Sequence, residues 1–165
     1  MPGQVYALDT NVLAEAARRY YAFDIAPVFW SSLMQCASDG RVLSIDPVHD
    51  EIRQYKDELR DWAKQHFAPW FMSTDDDDVV AHYADVAKWV QAQDQFTDAA
   101  RAAFLDGADG WLVASALAGS YVVVTQEVED LRARKRVPIP NVCRAFGVAC
   151  SDTFQMLREL GVCWT

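Results

Sequence analysis

The sequence lacks the cysteine and histidine spacings of a structural zinc site. Its four cysteines and three histidines form neither a C-x-x-C pair nor an H-E-x-x-H motif. We expect the cysteines to be free thiols in a reducing compartment, where disulfides are rare. The sequence therefore argues against a zinc finger and against a disulfide-linked secreted domain.

Long apolar runs and a cationic leader are also missing. No uninterrupted apolar stretch approaches the roughly 18–20 residues that a membrane-spanning helix needs. The segment from Met1 to Asp9 carries no basic side chain and reaches an aspartate too early for a secretory signal. We expect a cytoplasmic protein with no membrane segment.

Positive charge is scarce. Fifteen Lys and Arg stand against 24 Asp and Glu, which gives a net charge of −9 and a pI near 4.6. The charge is uneven, because residues 1–40 sum to −2, residues 41–130 to −11 and residues 131–165 to +4. Binding of nucleic acid by a uniformly basic surface is excluded, so a nucleic-acid role needs a local basic patch or carboxylates that hold a cation.

The chain has enough apolar residues for one folded domain. Hydrophobic residues make up 52% of its 165 residues, which excludes disorder and points to a single domain over residues 1–165. Strands are predicted at 5–8, 41–45 and 121–125, and they alternate with amphipathic helices. This order predicts an α/β domain with a mostly parallel sheet.

The pattern also predicts the elements between and after these strands. Helices are expected from residue 10, at 28–37, as one apolar stripe from Asp46 to Ala63, and after the aspartates 75–78. Further helices are expected at 97–104, at 109–118 with Gly119 at C′, as a short polar helix that follows Gln126-Glu127 and ends at about Arg134, and at 153–160. The four aspartates favour a helix N-terminus, with a metal site as the alternative. Residues 137–139 are expected to be extended and 162–164 to form a terminal strand.

Two acidic residues follow predicted strands. Asp9 comes directly after the first strand, and Glu127 lies two residues after Thr125, which ends the strand at 121–125. Parallel sheets place their sites at the carboxyl ends of the strands, beside the switch in strand order. We therefore expect these two carboxylates to share one edge of the sheet.

Two further acids lie on apolar helix faces. Glu51 shares the face of Val48 and Tyr55, and Asp109 shares the face of Leu112 and Val113. Each acid has an ordinary explanation as a helix cap, a first-turn charge or a loop residue. Four carboxylates meeting at one sheet edge would repel by a few kcal/mol per close pair, at about 4–5 Å and an effective dielectric near 20. Mg²⁺ or Mn²⁺ would neutralise them and support hydrolysis of a phosphodiester.

These residues resemble the motifs of the PIN-domain nucleases. The opening segment VYALDTNVL at 5–13 is similar to their first strand, in which an apolar strand ends in an acid followed by Thr or Ser and Asn. DGWLVASA at 109–116 resembles their later helix, YVVVT with Glu127 resembles their Thr-x-acid ending, and Glu51 matches their mid-chain glutamate. The resemblance implies a three-layer α/β/α fold with a central, mostly parallel sheet of four to five strands.

Three segments resemble one bacterial PIN-like family of unknown function more narrowly. They are RRYYAFD at 18–24, GAD at 107–109 and KRVPIPNVC at 135–143. Members of the wider group are often toxins of toxin–antitoxin pairs. The resemblance therefore implies a metal-dependent endoribonuclease that leaves 3′-hydroxyl and 5′-phosphate ends and is inhibited by a cognate antitoxin protein.

The resemblance assigns roles residue by residue. Asp9, Glu51, Asp109 and Glu127 would be catalytic and would bind one or two Mg²⁺ or Mn²⁺ ions. Aspartate is more usual than Glu127 at the fourth position, so Asp130 is a further candidate ligand. Gly110, next to Asp109, is a second departure, because glycine weakens helix propensity there. Asn11 and Thr125 would orient the carboxylates, or serve as a simple turn residue and strand end.

A basic segment follows the predicted site. RNA contacts are expected from six cationic residues, namely Arg132, Arg134, Lys135 and Arg136 in this segment, and Arg18 and Arg19 in the first helix. A solvated face is the alternative. Tyr20 and Tyr21 could stack on bases, although aromatic side chains more often pack in a core or interface.

The partners and the alternatives remain open at the level of sequence. The RNA could be tRNA or another structured RNA, and the sequence does not distinguish RNA from DNA. Six tryptophans and the acidic body would suit a homodimer or a cationic antitoxin segment. A catalytically inactive protein- or RNA-binding module is the competing function. Asn11 argues against aspartyl-phosphate hydrolases, which need a second acid there, and a response-regulator receiver would need an acid pair before the first helix.

Overall fold

Five short strands form one parallel sheet at the centre of the protein. The computed structural model describes residues 3–164, so residues 1, 2 and 165 of the predicted domain lie outside the described range. The strands are β1 (Tyr6–Leu8), β2 (Val42–Ile45), β3 (Phe71–Met72), β4 (Val122–Val124) and β5 (Cys150–Ser151). Their order across the sheet is β3-β2-β1-β4-β5, and every pair is parallel.

Helices connect and cover the strands. They are α1 (Thr10–Glu15), α2 (Pro27–Ser38), α3 (Asp46–Arg53), α4 (Glu58–Trp62), α5 (Asp77–Gln91), α6 (Asp98–Asp106), α7 (Asp109–Gly119), α8 (Ile139–Phe146) and α9 (Thr153–Glu159), with π-helical turns at Ala16–Tyr20 and Ala63–Phe67 and a 3-10 turn at Ala68–Trp70. All residues of β1 and β4 are buried, and successive residues of a strand point to opposite faces. Helices therefore cover both faces, as the predicted three-layer α/β/α fold requires.

The strand order reverses between β1 and β4. The chain runs from β1 outward to β2 and β3 on one side, and then returns to β4 and β5 on the other side of β1. Leu8 is in register with Val124, and the backbone N–H of Asp9 donates to the carbonyl of Val124 at 2.9 Å. The residues that follow β1 and β4 thus lie side by side, at the position where parallel sheets place their sites.

Most elements predicted from the sequence are present, and the structure also shows how the N-terminus of α5 is capped. The four aspartates precede α5, where the Asp76 carboxylate accepts hydrogen bonds from the backbone N–H groups of Asp78 and Val79. This cap supports the helix-start explanation of that acidic run. Within residues 3–164, no helix is both long enough and apolar enough to span a bilayer.

The continuous helix predicted from Asp46 to Ala63 is wrong. The helix ends after α3, and a new helix begins after Asp57, whose carboxylate accepts from the backbone N–H of Arg60 at 3.4 Å. The apolar stripe survives the break, because Ile52 before it and Leu59 after it are both buried. The spacing of apolar residues showed which side chains face the core but did not show that the backbone between them stays helical.

The short polar helix predicted after Gln126-Glu127, up to about Arg134, is also wrong, because this segment is a loop. Polar side chains supply the hydrogen bonds that a helix would have made: Asn11 Oδ1 accepts from the N–H of Gln126, and Asn141 Oδ1 accepts from that of Asp130. Residues 137–139, which follow the loop, were predicted only to be extended. They lead instead into α8, where Pro140 lies in the first turn, a position that requires no backbone N–H.

Two smaller predictions near strand ends fail for steric and pairing reasons. Ser120, and not Gly119, takes the left-handed position after α7, with φ of 58°. Gly119 is needed for another reason, because a Cβ there would overlap the ring of Tyr121. The predicted strand at 162–164 is absent, and residues 150–151 instead form β5 beside β4.

Candidate metal centre

Three carboxylates that are far apart in the chain meet at the reversal point of the sheet. Asp9, Asp109 and Glu127 each offer an oxygen atom, and these oxygens lie within 4.8 Å of one another. Asp9 follows β1, Asp109 begins α7, and Glu127 lies in the loop after β4. This convergence brings together three of the four acids that the sequence singled out.

Asp9 is buried and held by two donors. Its side chain accepts from the Thr125 hydroxyl at 2.9 Å and from the backbone N–H of Thr10 at 2.8 Å. Burial raises the pKa of Asp9 from 3.8 to about 7, and the negative charges of Glu127 and Glu51 add to the rise. The two hydrogen bonds act in the opposite direction but do not offset the loss of solvent.

Asp109 has no such support. Helix α7 is capped at Ala108 without a side-chain hydrogen bond, so Asp109 does not act as its N-cap. Among residues 3–164, no donor hydrogen-bonds to its carboxylate, and burial followed by the charges of Asp9, Glu127 and Glu51 raises its pKa to about 8. A half-buried carboxylate with no hydrogen bond from these residues, beside other acids, favours a bound proton or cation.

Glu127 is fixed by its loop and by one cation. Its backbone N–H donates to the Thr125 hydroxyl oxygen at 3.1 Å, and one carboxylate oxygen accepts a hydrogen bond from Arg136 and lies 3.4 Å from the N–H of Ile139. The Glu127 side chain is only 11% exposed, whereas that of Arg136 is 64% exposed. Arg136 therefore partly neutralises the cluster from its solvent side.

Glu51 lies beside the three-carboxylate cluster and has different contacts. One oxygen accepts from the Thr10 hydroxyl at 2.6 Å, and the other accepts from the backbone N–H of Ala108 at 3.1 Å. A Cβ at Gly107 would lie 3.3 Å from this second oxygen, so glycine allows the close approach. Glu51 thus joins the start of α1 to the turn that precedes Asp109.

The two residues predicted to orient the carboxylates both contact the site. Thr125 donates to Asp9, and Asn11 Nδ2 donates to the Thr125 hydroxyl oxygen at 3.4 Å. Asn11 also accepts from the N–H of Gln126 at 3.1 Å. These side chains link the end of β1 to the loop that carries Glu127.

Asp130 does not join the cluster. It is exposed, and its carboxylate accepts from the backbone N–H of Arg132 at 3.0 Å. Its backbone is fixed on both sides by Asn141, which accepts from the Asp130 N–H and donates to the Asp130 carbonyl. Residue 130 therefore shapes the loop and does not replace Glu127 in the cluster.

The residues predicted to bind RNA are all exposed, but they differ in their contacts. Arg18 pairs with Asp57 at 3.4 Å and lies over the ring of Tyr55, and Arg19 pairs with Glu15 at 3.2 Å. In the basic segment the exposed residues are Arg132, Arg134, Lys135 and Arg136. Only Arg136 of these forms an ion pair among residues 3–164, and it is the pair with Glu127.

Sequence reasoning missed the roles of three positions that shape the site, although it noted Gly110 as a departure from the family pattern. Gly107 admits the Glu51 carboxylate, Asn141 holds the loop, and Gly110 packs against Tyr83, whose ring carbon would lie 3.1 Å from a Cβ there. The glycine that weakens helix propensity beside Asp109 thus permits α5 and α7 to pack closely. Asn141 follows the Pro138-x-Pro140 pattern, which could have suggested a helix start with a loop-capping side chain.

An open pocket of about 420 Å³ lies next to the cluster. Its lining combines amides, charged groups and one aromatic ring, contributed by Asn11, Glu15, Tyr20, Gln126, Glu127, Val128 and Arg136. Glu127 and Arg136 therefore face both the carboxylate cluster and a space that a ligand can enter.

A family model described as Domain of unknown function (DUF4411) matches residues 6–164. The chain belongs to the DUF4411 family. A search among curated proteins found no match. Among solved structures, this DUF4411 protein is similar to a chain of VapBC2 from Rickettsia felis, solved bound to a DNA fragment from their promoter. The two are 11% identical, the match covers 90% of this chain and 98% of that chain, and the TM-score is 0.56.

At 11% identity this likeness concerns the fold alone. It agrees with the five-stranded parallel sheet flanked by helices and confirms the PIN-like resemblance that the sequence motifs indicated. The DUF4411 family and the PIN-like fold are therefore established for this chain. An activity has to be argued from the geometry of the carboxylate cluster.

The cluster of this DUF4411 protein fits a hard divalent cation. All three groups are carboxylates, the oxygen ligands that Mg²⁺ and Mn²⁺ prefer. Oxygens within 4.8 Å of one another can share an ion after small shifts, since Mg²⁺ lies about 2.1 Å from each ligand. The Asp109 carboxylate accepts no hydrogen bond from the part of the chain that the structure describes, so ion binding would supply a partner.

Proposed function

We propose that this protein is a Mg²⁺- or Mn²⁺-dependent endoribonuclease, and that it acts as the toxin of a toxin–antitoxin pair. The observation that carries the proposal is the convergence of Asp9, Asp109 and Glu127 at the reversal point of a PIN-like sheet, with Asp109 free of hydrogen bonds from the described residues. Structural acids are normally paired or capped, and a half-buried acid that is neither, beside two other acids, suggests a working site.

The residues of the chain would divide the work of hydrolysis. Asp9, Asp109 and Glu127 would hold the cation, which when bound supplies an activated water and positive charge beside a scissile phosphate. Thr125 and Asn11 keep two of the ligands in place through their hydrogen bonds. Glu51 would position Asp109 from behind, through the N–H of Ala108.

Substrate binding is assigned to the exposed basic segment. Arg132, Arg134 and Lys135 would contact the phosphate backbone, and Arg136 would lie nearest to the scissile phosphate because it borders the cluster. Arg18 and Arg19 would extend this surface once their acidic neighbours are displaced. A local patch of this kind is compatible with a net charge of −9.

The partner assignment follows from the fold neighbour. VapBC2 was solved bound to a DNA fragment from their promoter, and by analogy with a toxin–antitoxin pair an antitoxin protein would bind and inhibit this chain. We place the enzyme in the cytoplasm, where its RNA would be found. The proposal also includes two details, namely that the protein forms a homodimer and that its substrate is a tRNA.

A cleavage assay with metal control tests the proposal. The full chain should cut RNA with Mn²⁺ or Mg²⁺ and stop when EDTA is added, and end mapping should give 5′-phosphates. The Asp109→Asn variant should lose this activity. The matched control is Asp106→Asn, which changes an exposed acid at the end of α6 and should cut normally. Metal-independent cleavage, or an active Asp109→Asn protein, would refute the assignment.

The alternative of a catalytically inactive protein- or RNA-binding module has one observation in its favour. The ion pair between Arg136 and Glu127 occupies one of the three carboxylates with a side-chain cation. A binding module would bind RNA in the same assay without cutting it at any metal concentration. RNA binding without metal-dependent cleavage would thus favour the module.

A further inference from the structure

Tyr20 is an aromatic side chain exposed beside the proposed site. It is 53% exposed and lies at the end of the π-helical turn that continues α1. Its neighbour Tyr21 is half-buried and stacks on Phe29, with ring centroids 4.3 Å apart. Two adjacent tyrosines thus have different environments, one packed against the core and one at the surface.

The π-helical turn explains this difference. Leu13 and Ala16 face the core, and a regular α-helix would direct Tyr20, four residues after Ala16, to the same face. Instead, the backbone N–H of Tyr21 donates to the Ala16 carbonyl at 2.7 Å, five residues back. The wider turn gives the core position to Tyr21 and leaves Tyr20 outside, and such turns often occur at functional sites.

Tyr20 lines the pocket that also contains Glu127 and Arg136. Phe154 meets the Tyr20 ring edge-on, at 6.2 Å and 74° between the ring planes, and so supports it from one side. The amide groups of Asn11 and Gln126 lie in the same pocket. A flat ring, amide hydrogen-bonding groups and an arginine beside one cavity match the parts of a nucleotide.

We propose that Tyr20 forms a stacking subsite for an unpaired nucleobase next to the scissile phosphate. This inference rests on the proposed nuclease function and specifies its substrate class as single-stranded RNA. In a duplex both faces of each base are already stacked, so the base would first have to leave the helix. An unpaired base can lie on the Tyr20 ring while its phosphate contacts Arg136.

Binding measured without cleavage tests the subsite. Every protein carries Asp109→Asn and is kept in EDTA, and the probe is a fluorescein-labelled, single-stranded RNA oligonucleotide followed by fluorescence anisotropy. Tyr20→Ala should raise the Kd about tenfold, in the range found for loss of one base–aromatic stack. Tyr20→Phe keeps the ring and should bind normally, and Val80→Ala is the control for an exposed apolar residue elsewhere, on α5.

Three further arms separate stacking from a general loss of structure. The slope of log Kd against log salt should be unchanged in Tyr20→Ala, since no charge is lost, whereas Arg136→Gln should reduce it by about one. An oligonucleotide of abasic sugar-phosphate should bind the Asp109→Asn parent and its Tyr20→Ala variant equally. A blunt duplex of the same sequence should bind weakly and show no dependence on Tyr20.

The results of these binding measurements can overturn the Tyr20 subsite without overturning the nuclease proposal, and the reverse also holds. Equal single-strand affinity of Tyr20→Ala and its parent would overturn the subsite, as would an equal loss on the abasic or duplex probe. Failure of Tyr20→Phe to restore binding would also overturn it. Because this assay needs neither metal nor cleavage, a failed cleavage assay would overturn the nuclease proposal while a tyrosine-dependent single-strand affinity still established the subsite.

Discussion

The Thr125 hydroxyl donates a 2.9 Å hydrogen bond to Oδ2 of Asp9, joining residues 116 positions apart in the chain. The same hydroxyl oxygen accepts from the backbone N–H of Glu127 at 3.1 Å. One threonine therefore positions two of the three clustered carboxylates. It can do so because β1 and β4 are neighbours in register and end at the same edge.

Removing this hydroxyl should disturb both carboxylates at once. Thr125→Val keeps the shape but leaves Asp9 with one donor fewer, so the free energy of unfolding should fall by about 1–3 kcal/mol. Affinity for Mn²⁺ should fall with it, because Asp9 and Glu127 lose their common support. Urea unfolding and calorimetric titration measure the two effects. Thr125→Ser retains the hydroxyl and should restore most of both, and a Thr125→Val protein with unchanged affinity would show that the hydroxyl does not organise the site.

The stability of the metal-free protein should fall as the pH rises. The folded-state pKa of Asp9 is about 7 and that of Asp109 about 8, both above 3.8, so the folded protein holds protons that the unfolded chain has released. This contribution is fully present below about pH 4 and is lost as the pH passes through 7 and 8, at about 1.4 kcal/mol per unit of pKa difference. In EDTA the melting temperature should therefore be lower at pH 8.5 than at pH 5.

Two comparisons isolate the cause of this pH dependence. Asp109→Asn should flatten the decline, since it removes one of the two groups, whereas Asp106→Asn should leave it unchanged. Mn²⁺ should raise the melting temperature more at pH 8.5 than at pH 5, because the ion binds the deprotonated carboxylates. A metal-free protein whose stability does not change over this range would contradict the raised pKa values of Asp9 and Asp109.

Glu51 should behave differently from the clustered acids. Its carboxylate accepts from the Thr10 hydroxyl and from the Ala108 N–H. Glu51→Gln replaces one acceptor oxygen with an NH₂ group, so one of these donors loses its partner at a cost of about 1–3 kcal/mol in unfolding free energy. Cleavage should fall less than in Asp109→Asn, with the Kd for Mn²⁺ changed only severalfold. Loss of metal binding as complete as in Asp109→Asn would make Glu51 a direct ligand.

Arg136 should have opposite effects on the two ligands. It competes for Glu127, so Arg136→Gln should tighten Mn²⁺ binding severalfold in calorimetric titration without RNA. The same variant should bind RNA more weakly, because a cation beside the scissile phosphate is lost. Lys135→Gln, which changes an adjacent exposed cation with no ion pair among residues 3–164, should weaken RNA binding but leave Mn²⁺ affinity unchanged. Weaker Mn²⁺ binding by Arg136→Gln would contradict this competition.

The sequence predicted the α/β class, the strands β1, β2 and β4, and the position of the acids relative to them. These predictions succeed because buried parallel strands are apolar throughout, and because their carboxyl ends share one edge. Asp109 was recognisable for a similar reason, since an acid on the apolar face of α7 contradicts the pattern around it. The order of these acidic motifs along the chain then matched the pattern of the PIN-domain nucleases.

The remaining features depend on contacts that no local pattern contains. The loop at 126–138 is held by Asn11 and Asn141, which are distant in sequence from the residues they contact. The break before α4 leaves the spacing of apolar residues unchanged, so this spacing does not indicate that the helix ends there. The ion pair between Arg136 and Glu127 and the π-helical turn that exposes Tyr20 likewise arise from tertiary packing.

The central claim is that Asp9, Asp109 and Glu127 share a bound divalent cation. Crystals of the full chain soaked in Mn²⁺ and measured at an anomalous wavelength test it most directly. The account predicts an anomalous peak about 2.1–2.3 Å from oxygens of these three residues, and its loss in Asp109→Asn. Mn²⁺ bound only elsewhere, with Asp109 still unligated at a pH above 8, would contradict it.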